Sequence, residues 1–209
     1  LTRVALYNNN PKRAARCLRA IIAGGQDGYV LRVLLARGAL AGGDPRSAMP
    51  EIEAAIKLDP DQAEAYRIML DLSEKLDDDA LARRALTALA GLDQHDRLVH
   101  FALLTTLAKA KDWAEVERVG DNALYIDPEN SQVHRLLGEA LIERGKPARA
   151  LGELDQALTL GHPKPGVVEL LRARALWLLG RKGAARKAAD RALKHDAELR
   201  ERVDGIFKN

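Results

Sequence analysis

The chain has 209 residues, 47% hydrophobic and only 4% aromatic, and a formal net charge of +3. No apolar run approaches the roughly 18 residues that a membrane-spanning helix needs, and a single cysteine, Cys17, excludes an internal disulfide. The charge is unevenly spread: residues 1–50 carry 8 basic and 2 acidic groups, 51–100 carry 6 and 12, 101–163 carry 7 and 10, and 164–209 carry 12 and 6.

In chain order, Leu1 to Asn8 supplies the last turns of one helix, and a second helix is expected from about Pro11 to Ala23. Cys17 lies mid-helix among apolar neighbours and is expected to be a packed thiol. From Tyr29 to Gln62 the pattern is a helix pair. Leu31, Leu34, Leu35 and Ala39 fall on one face of the first helix. Gly42 and Gly43 end it, Asp44 caps the next helix, and Pro45 sits in that helix's first turn. Ala48, Ile52, Ala55 and Ile56 line the second helix, and Leu58, Asp59 and Pro60 close the unit because proline cannot extend the hydrogen-bond ladder. The spans 63–96, 97–130 and 131–164 repeat this grammar. The copy at 165–197 follows a one-residue insertion near His162 to Pro165. Leu199, Val203, Ile206 and Phe207 share one face of a short last helix, either a cap on the stack or the start of another repeat.

The repetition is metric. Ala14, Ala48, Ala82, Val116 and Ala150 stand 34 apart, and Ala185 follows at 35. Ile21, Ala55, Leu89, Ala123, Ala157 and Ala192 keep the same steps. A helix pair cannot bury its apolar stripe alone, so pairs stack, and small side chains recur where two helices approach closely. With Leu137, Gly138, Leu141, Gly145, Ala150, Leu154 and Ala157 in register, 131–164 is the best copy. The copy at 63–96 is weaker: Tyr66 is in place, but Leu70 stands where a glycine is preferred and Gln94 replaces the closing proline. On these residues the chain resembles the tetratricopeptide repeat family over nearly its whole length. The resemblance implies an all-α fold, a right-handed superhelical solenoid of antiparallel helix pairs, with about thirteen helices counting the partial ends. Residues 1–209 then form one solenoid: a partial repeat 1–28, repeats 29–62, 63–96, 97–130, 131–164 and 165–197, and a capping or partial helix 198–209.

The family binds proteins or peptides, usually in a groove lined by the first helix of each pair. Mapped onto this chain, that face holds Val33, Leu34 and Arg37; Arg67, Ile68 and Asp71; Phe101, Ala102 and Thr105; Arg135, Leu136 and Glu139; and Leu170, Leu171 and Arg174. The pairs Arg67/Asp71 and Arg135/Glu139 stand four apart, the spacing of an intrahelical ion pair. Their arginines would otherwise reach a ligand carbonyl or carboxylate. Phe101 is an anchor if exposed and a packing residue if buried; the sequence supports both. Relatives that clamp chaperone tails use lysines and asparagines at fixed positions. The matching residues here are Val33, Arg37, Ile68, Gln132 and Leu136, so that clamp is not expected.

No chemistry is indicated. Among His95, His100, His134, His162 and His195 there is no metal-binding spacing. There is no phosphate loop, nucleophile elbow or CxxC, so no catalytic residue, metal or cofactor is assigned. Asp77, Asp78 and Asp79 fit a helix N-terminus rather than a calcium loop. Arg181, Lys182, Arg186, Lys187, Arg191 and Lys194 give the last full repeat a basic outer face, but scarce aromatics argue against nucleic acid as the partner. The expectation is a non-catalytic scaffold that binds a protein or peptide segment. Two alternatives are an accessory recruiting or anchoring domain of a longer enzyme or export machine, and self-association through the repeat ends. The chain begins without methionine, so extension on the N-terminal side is expected. The compartment is cytoplasmic by default, or periplasmic if a signal peptide was trimmed.

Overall fold

The computed structural model describes residues 11–208, which form twelve α-helices and one 3-10 turn, with no strand among them. The expected helical turns of Leu1 to Asn8 lie outside the described residues. Two compact units divide the chain, Leu1–Val99 and His100–Asn209.

In the first unit α1 (Pro11–Ala23) precedes two helix pairs, α2 (Tyr29–Ala41) with α3 (Pro45–Leu58) and α4 (Ala63–Leu76) with α5 (Asp79–Leu92). Local chemistry sets their ends. The Asp44 side chain accepts from the Ser47 N–H at 3.2 Å, with Pro45 in the first turn of α3. Asp78 accepts from the Leu81 N–H at 2.9 Å and caps α5. No side chain caps α4 at Gln62, but the Ala65 N–H donates to the Tyr29 hydroxyl at 3.1 Å, so a neighbouring helix satisfies one of its open donors. Helix α3 runs through the exposed Pro50, which removes one rung of the ladder.

Apolar residues on both members of each pair make the core of this unit. Ala48, Ala55, Ala65, Met69 and Leu72 are completely buried. Two expectations shift. In α2 the buried set is Val33, Leu35 and Ala36, while Leu31, Leu34 and Ala39 are half-buried. That helix is apolar nearly all round, so its neighbours, not its own pattern, choose the buried face. Ala82 and Ile21, members of the two small-residue series, are half-buried, and Cys17 is half-buried rather than enclosed. In α5 the enclosed positions are Leu81, Ala85, Leu86, Leu89 and Ala90, so Leu89 of the second series is enclosed where Ala82 of the first is not.

The second unit contains most of α6 (Arg97–Lys109), then α7 (Trp113–Ile126), α8 (Ser131–Glu143), α9 (Pro147–Thr159), α10 (Pro165–Leu178), α11 (Lys182–His195), a 3-10 turn (Ala197–Leu199) and α12 (Arg200–Ile206). Two glycines mark close helix approaches. A Cβ on Gly138 would lie 2.7 Å from Leu154 Cγ, and one on Gly120 would lie 3.3 Å from Leu137 Cδ1. Val116, Ala150, Ala157, Ala185 and Ala192, from the same periodic series, are buried completely. Leu199 and Val203 bury against Ala188, Ala192 and Leu176, which seats α12 on the last helix pair.

One turn position repeats through both units. Gly43, Asp77, Lys111, Gly145 and Gly180, between first and second helices, all have φ between 52° and 74°. Three are glycine, which adopts this left-handed region freely; Asp77 and Lys111 carry a Cβ into it at a cost. At the inserted residue, the buried His162 accepts the Lys164 N–H on Nδ1 at 3.0 Å, and burial pushes its ring pKa down.

Candidate functional site

The first helix of each pair places its fifth and ninth residues on one side, because four residues make about one turn. In the first unit Arg37, Ala41, Glu64, Ile68, Asp71 and Lys75 surround a hollow of about 440 Å³ between α2 and α4. The Arg37 guanidinium donates to Glu64 across that gap. Asp71 is exposed at its wall. Arg67 is exposed and forms no ion pair with Asp71 among the described residues, so one of the two expected intrahelical pairs is absent. Val33 is buried at 7% exposure and belongs to the core, offering little surface to a ligand.

In the second unit a hollow of about 520 Å³ lies between α6 and α8, lined by Thr105, Lys109, Trp113, Arg135, Glu139 and Glu143. The Arg135–Glu139 pair forms, Nη1 to Oε2 at 2.8 Å, with both side chains largely covered. Glu143 accepts from Arg174 Nη1 of α10 at 2.5 Å. The Arg135–Glu139 and Arg174–Glu143 pairs hold these four charges in place, while Lys111, exposed at the same wall, has no ion-pair partner among the described residues. Thr105 spends its hydroxyl hydrogen on the Phe101 and Ala102 carbonyls, at 3.1 and 2.8 Å. Phe101, one turn earlier on the same helix, is half-buried, between the two roles the sequence allowed. Leu170, at 4% exposure, and Arg174 border a third hollow, toward α12.

Away from this face the polar network is structural. Glu117 of α7 accepts from Lys146 Nζ at 2.6 Å, Arg149 Nη1 at 3.1 Å and Arg144 Nε at 3.4 Å. The Lys146 hydrogen bond, more than any other contact, holds its carboxyl below the usual range. His134 donates from Nε2 to the Pro128 carbonyl at 2.9 Å, and its Nδ1 lies 2.8 Å from Glu153, pinning the turn before α8 to α9. His100, one repeat earlier, is buried with neither ring nitrogen bonded; Val119 stands at the repeat position of Glu153, which removes the acceptor at Nδ1. Among the described residues no cluster of three or more His, Cys, Asp or Glu is arranged to hold a metal, and no helix is long and apolar enough to cross a membrane.

Comparison with solved structures returns proteins of this architecture. YrrB, described as a TPR protein with an unusual peptide-binding site, is 14% identical with a TM-score of 0.67, over 90% of this chain and 95% of that one. MamA from Desulfovibrio magneticus is 14% identical with a TM-score of 0.60, over 82% and 97%. A thermophilic TPR protein of Thermus thermophilus is 19% identical with a TM-score of 0.53, over 86% and 99%. At these identities the likeness shows the fold alone. No curated protein matches. The family model described as tetratricopeptide repeat matches residues 33–96, 110–168 and 135–200, more than half of the chain. The chain therefore belongs to the tetratricopeptide repeat family.

Proposed function

We propose that this chain is a non-catalytic scaffold that holds an extended or helical peptide segment of another protein against its first-helix face. The observation that carries this reading is a hollow between consecutive first helices within each unit: α2 with α4 in the first and α6 with α8 in the second. Within a unit, a ligand side chain can enter the hollow while the ligand backbone runs past the polar rim, as in groove recognition generally. The ion pairs along the rims add specificity of register more than affinity. YrrB, with the same architecture, has a peptide-binding site, which supports placing one here.

The test is selection of random dodecamer peptides on the folded chain, with a Phe101→Ala, Arg135→Glu double variant as control. Peptides enriched on the wild type should bind the variant at least about tenfold more weakly, the loss expected for two contacts of a binding centre, while circular dichroism shows equal helix content. Equal affinity for a folded variant would move the site off this face.

A further inference from the structure

We propose that the hollow between α10 and α12 is an anchor pocket for a bulky apolar side chain of a peptide whose neighbouring residue is Asp or Glu. The proposal rests on the peptide-binding reading of the first-helix face and adds to it where along that face affinity concentrates and which ligand is chosen.

Three observations meet here. First, apolar side chains make up more of this wall than of the other two, although Glu139 and Arg174 also line it and Trp113 and Leu136 line the second hollow. The other two are edged by Arg37, Glu64 and Asp71, or by Arg135, Glu139 and Glu143. This one, of about 660 Å³, presents Leu178, Trp177 and Ile206. Leu178 is 54% exposed, apolar surface that gains by being covered. Second, the aromatic wall is held in place. The Phe207 ring meets Trp177 edge-on at 5.1 Å with an 84° interplanar angle, and the Lys182 ammonium lies 5.3 Å from the Trp177 ring centre. A ligand then loses little entropy in ordering the pocket. The space is also kept open, since Gly205 contributes no side chain to it.

Third, the pocket lining includes a cation with no anionic partner among the described residues. Arg174 is tied to Glu143 and Glu139 to Arg135, but Arg202 is exposed and has no partner among the described residues. At about 100° per residue, Arg202, Gly205 and Ile206 share one side of α12, with Glu201 beside Gly205 at the edge of that side and Asp204 turned away from Arg202. The ligand's acid is a side chain rather than a chain terminus. Capture of a terminal carboxylate draws on several converging donors such as backbone N–H groups, and this wall offers one free guanidinium.

The test uses fluorescein-labelled dodecamers with Leu, Phe or Trp at one fixed position and Glu, Gln or Lys beside it, read by anisotropy against the wild type, Leu178→Ser, Arg202→Glu, Arg202→Lys and Arg135→Glu. Both pocket positions are exposed, so these variants should fold, and circular dichroism checks that they do. The wild type should bind Glu-flanked peptides about tenfold or more tightly than Lys-flanked ones. Arg202→Lys should keep the preference, Arg202→Glu should reverse it, and Leu178→Ser should weaken every apolar-anchored peptide. Binding that Arg135→Glu reduces, but that is indifferent to Leu178 and Arg202, overturns the pocket and leaves the first-helix reading standing. Absence of binding by any peptide to the wild type counts against both.

Discussion

The repeats at 131–164 and 63–96 are built on one plan and differ in how closely their helices approach. In the former, Asn130 accepts two N–H groups at 3.2 Å to start α8, Gly138 lets Leu154 sit where a Cβ would collide, and Gly145 takes the left-handed turn. In the latter, no side chain caps α4, Leu70 stands half-buried in place of Gly138, and Asp77 is forced to φ 52° in place of Gly145. The consequence shows at the surface: Leu76 and Leu92 remain 37% and 38% exposed, and Ala82 is only half-buried where Ala150 is fully enclosed. The small residues are thus the condition for close approach, and a repeat that lacks them keeps its fold through side contacts such as the Tyr29–Ala65 hydrogen bond. Local opening should be easier there.

Five tests break or sharpen this contrast. The largest effect is expected from Ala123→Arg: the site is 4% exposed, and an unpaired buried guanidinium should cost roughly 3–5 kcal/mol. Urea unfolding followed by circular dichroism should show the second unit's transition lost or moved to very low denaturant. A normal curve would mean the helix register is misplaced. Leu154→Ala should cost about 2–5 kcal/mol, because Leu154 is wholly buried and fills the space left by Gly138. Gly138→Val should cost about 1–3 kcal/mol by overpacking, and Leu70→Val, at the same repeat position, clearly less. Equal costs at the two sites would remove the distinction between the repeats.

Glu117→Gln should destabilise by about 1–2 kcal/mol at neutral pH, since it removes the negative charge that Lys146, Arg144 and Arg149 share and turns one of the two acceptor oxygens into a donor. Its folded pKa is lowered. The contribution is therefore complete above the ordinary carboxylate pKa of about 4.3 and is lost as pH falls through the lower folded value. Acid titration of stability should bring variant and wild type together at low pH. A gap independent of pH would contradict the assignment. The smallest effect has the opposite sign. Asp77→Gly should stabilise by up to about 1 kcal/mol, by relieving a left-handed residue at the position where Gly43 and Gly145 already sit. A destabilised variant would show that the Asp77 side chain matters more than its backbone.

How much of this was legible in the sequence depended on repetition. The period of 34 names the enclosed positions because each recurs in the same environment: Ala48, Val116, Ala150 and Ala185 are all buried as their spacing predicts. Caps were readable for a local reason, since Asp44 reaches a group three residues away. The buried face of α2 was not readable, because an all-round apolar helix lets its neighbours decide. Nor was the difference between Arg67, which stays free, and Arg135, which pairs: both precede an acid by four residues, and only the surrounding walls separate them. The hollow at Trp177 was not legible because a third of its lining, Arg202, Gly205 and Ile206, comes from α12, which lies outside the 34-residue repeats.

The central claim is that the first helices, not the second, meet the partner. Hydrogen–deuterium exchange of the chain with and without a selected peptide tests it most directly. In the second unit, binding should slow exchange in α6, α8 and α10 and leave α7, α9 and α11 nearly unchanged. Protection confined to the second helices, above all to the basic face of α11, would contradict the account.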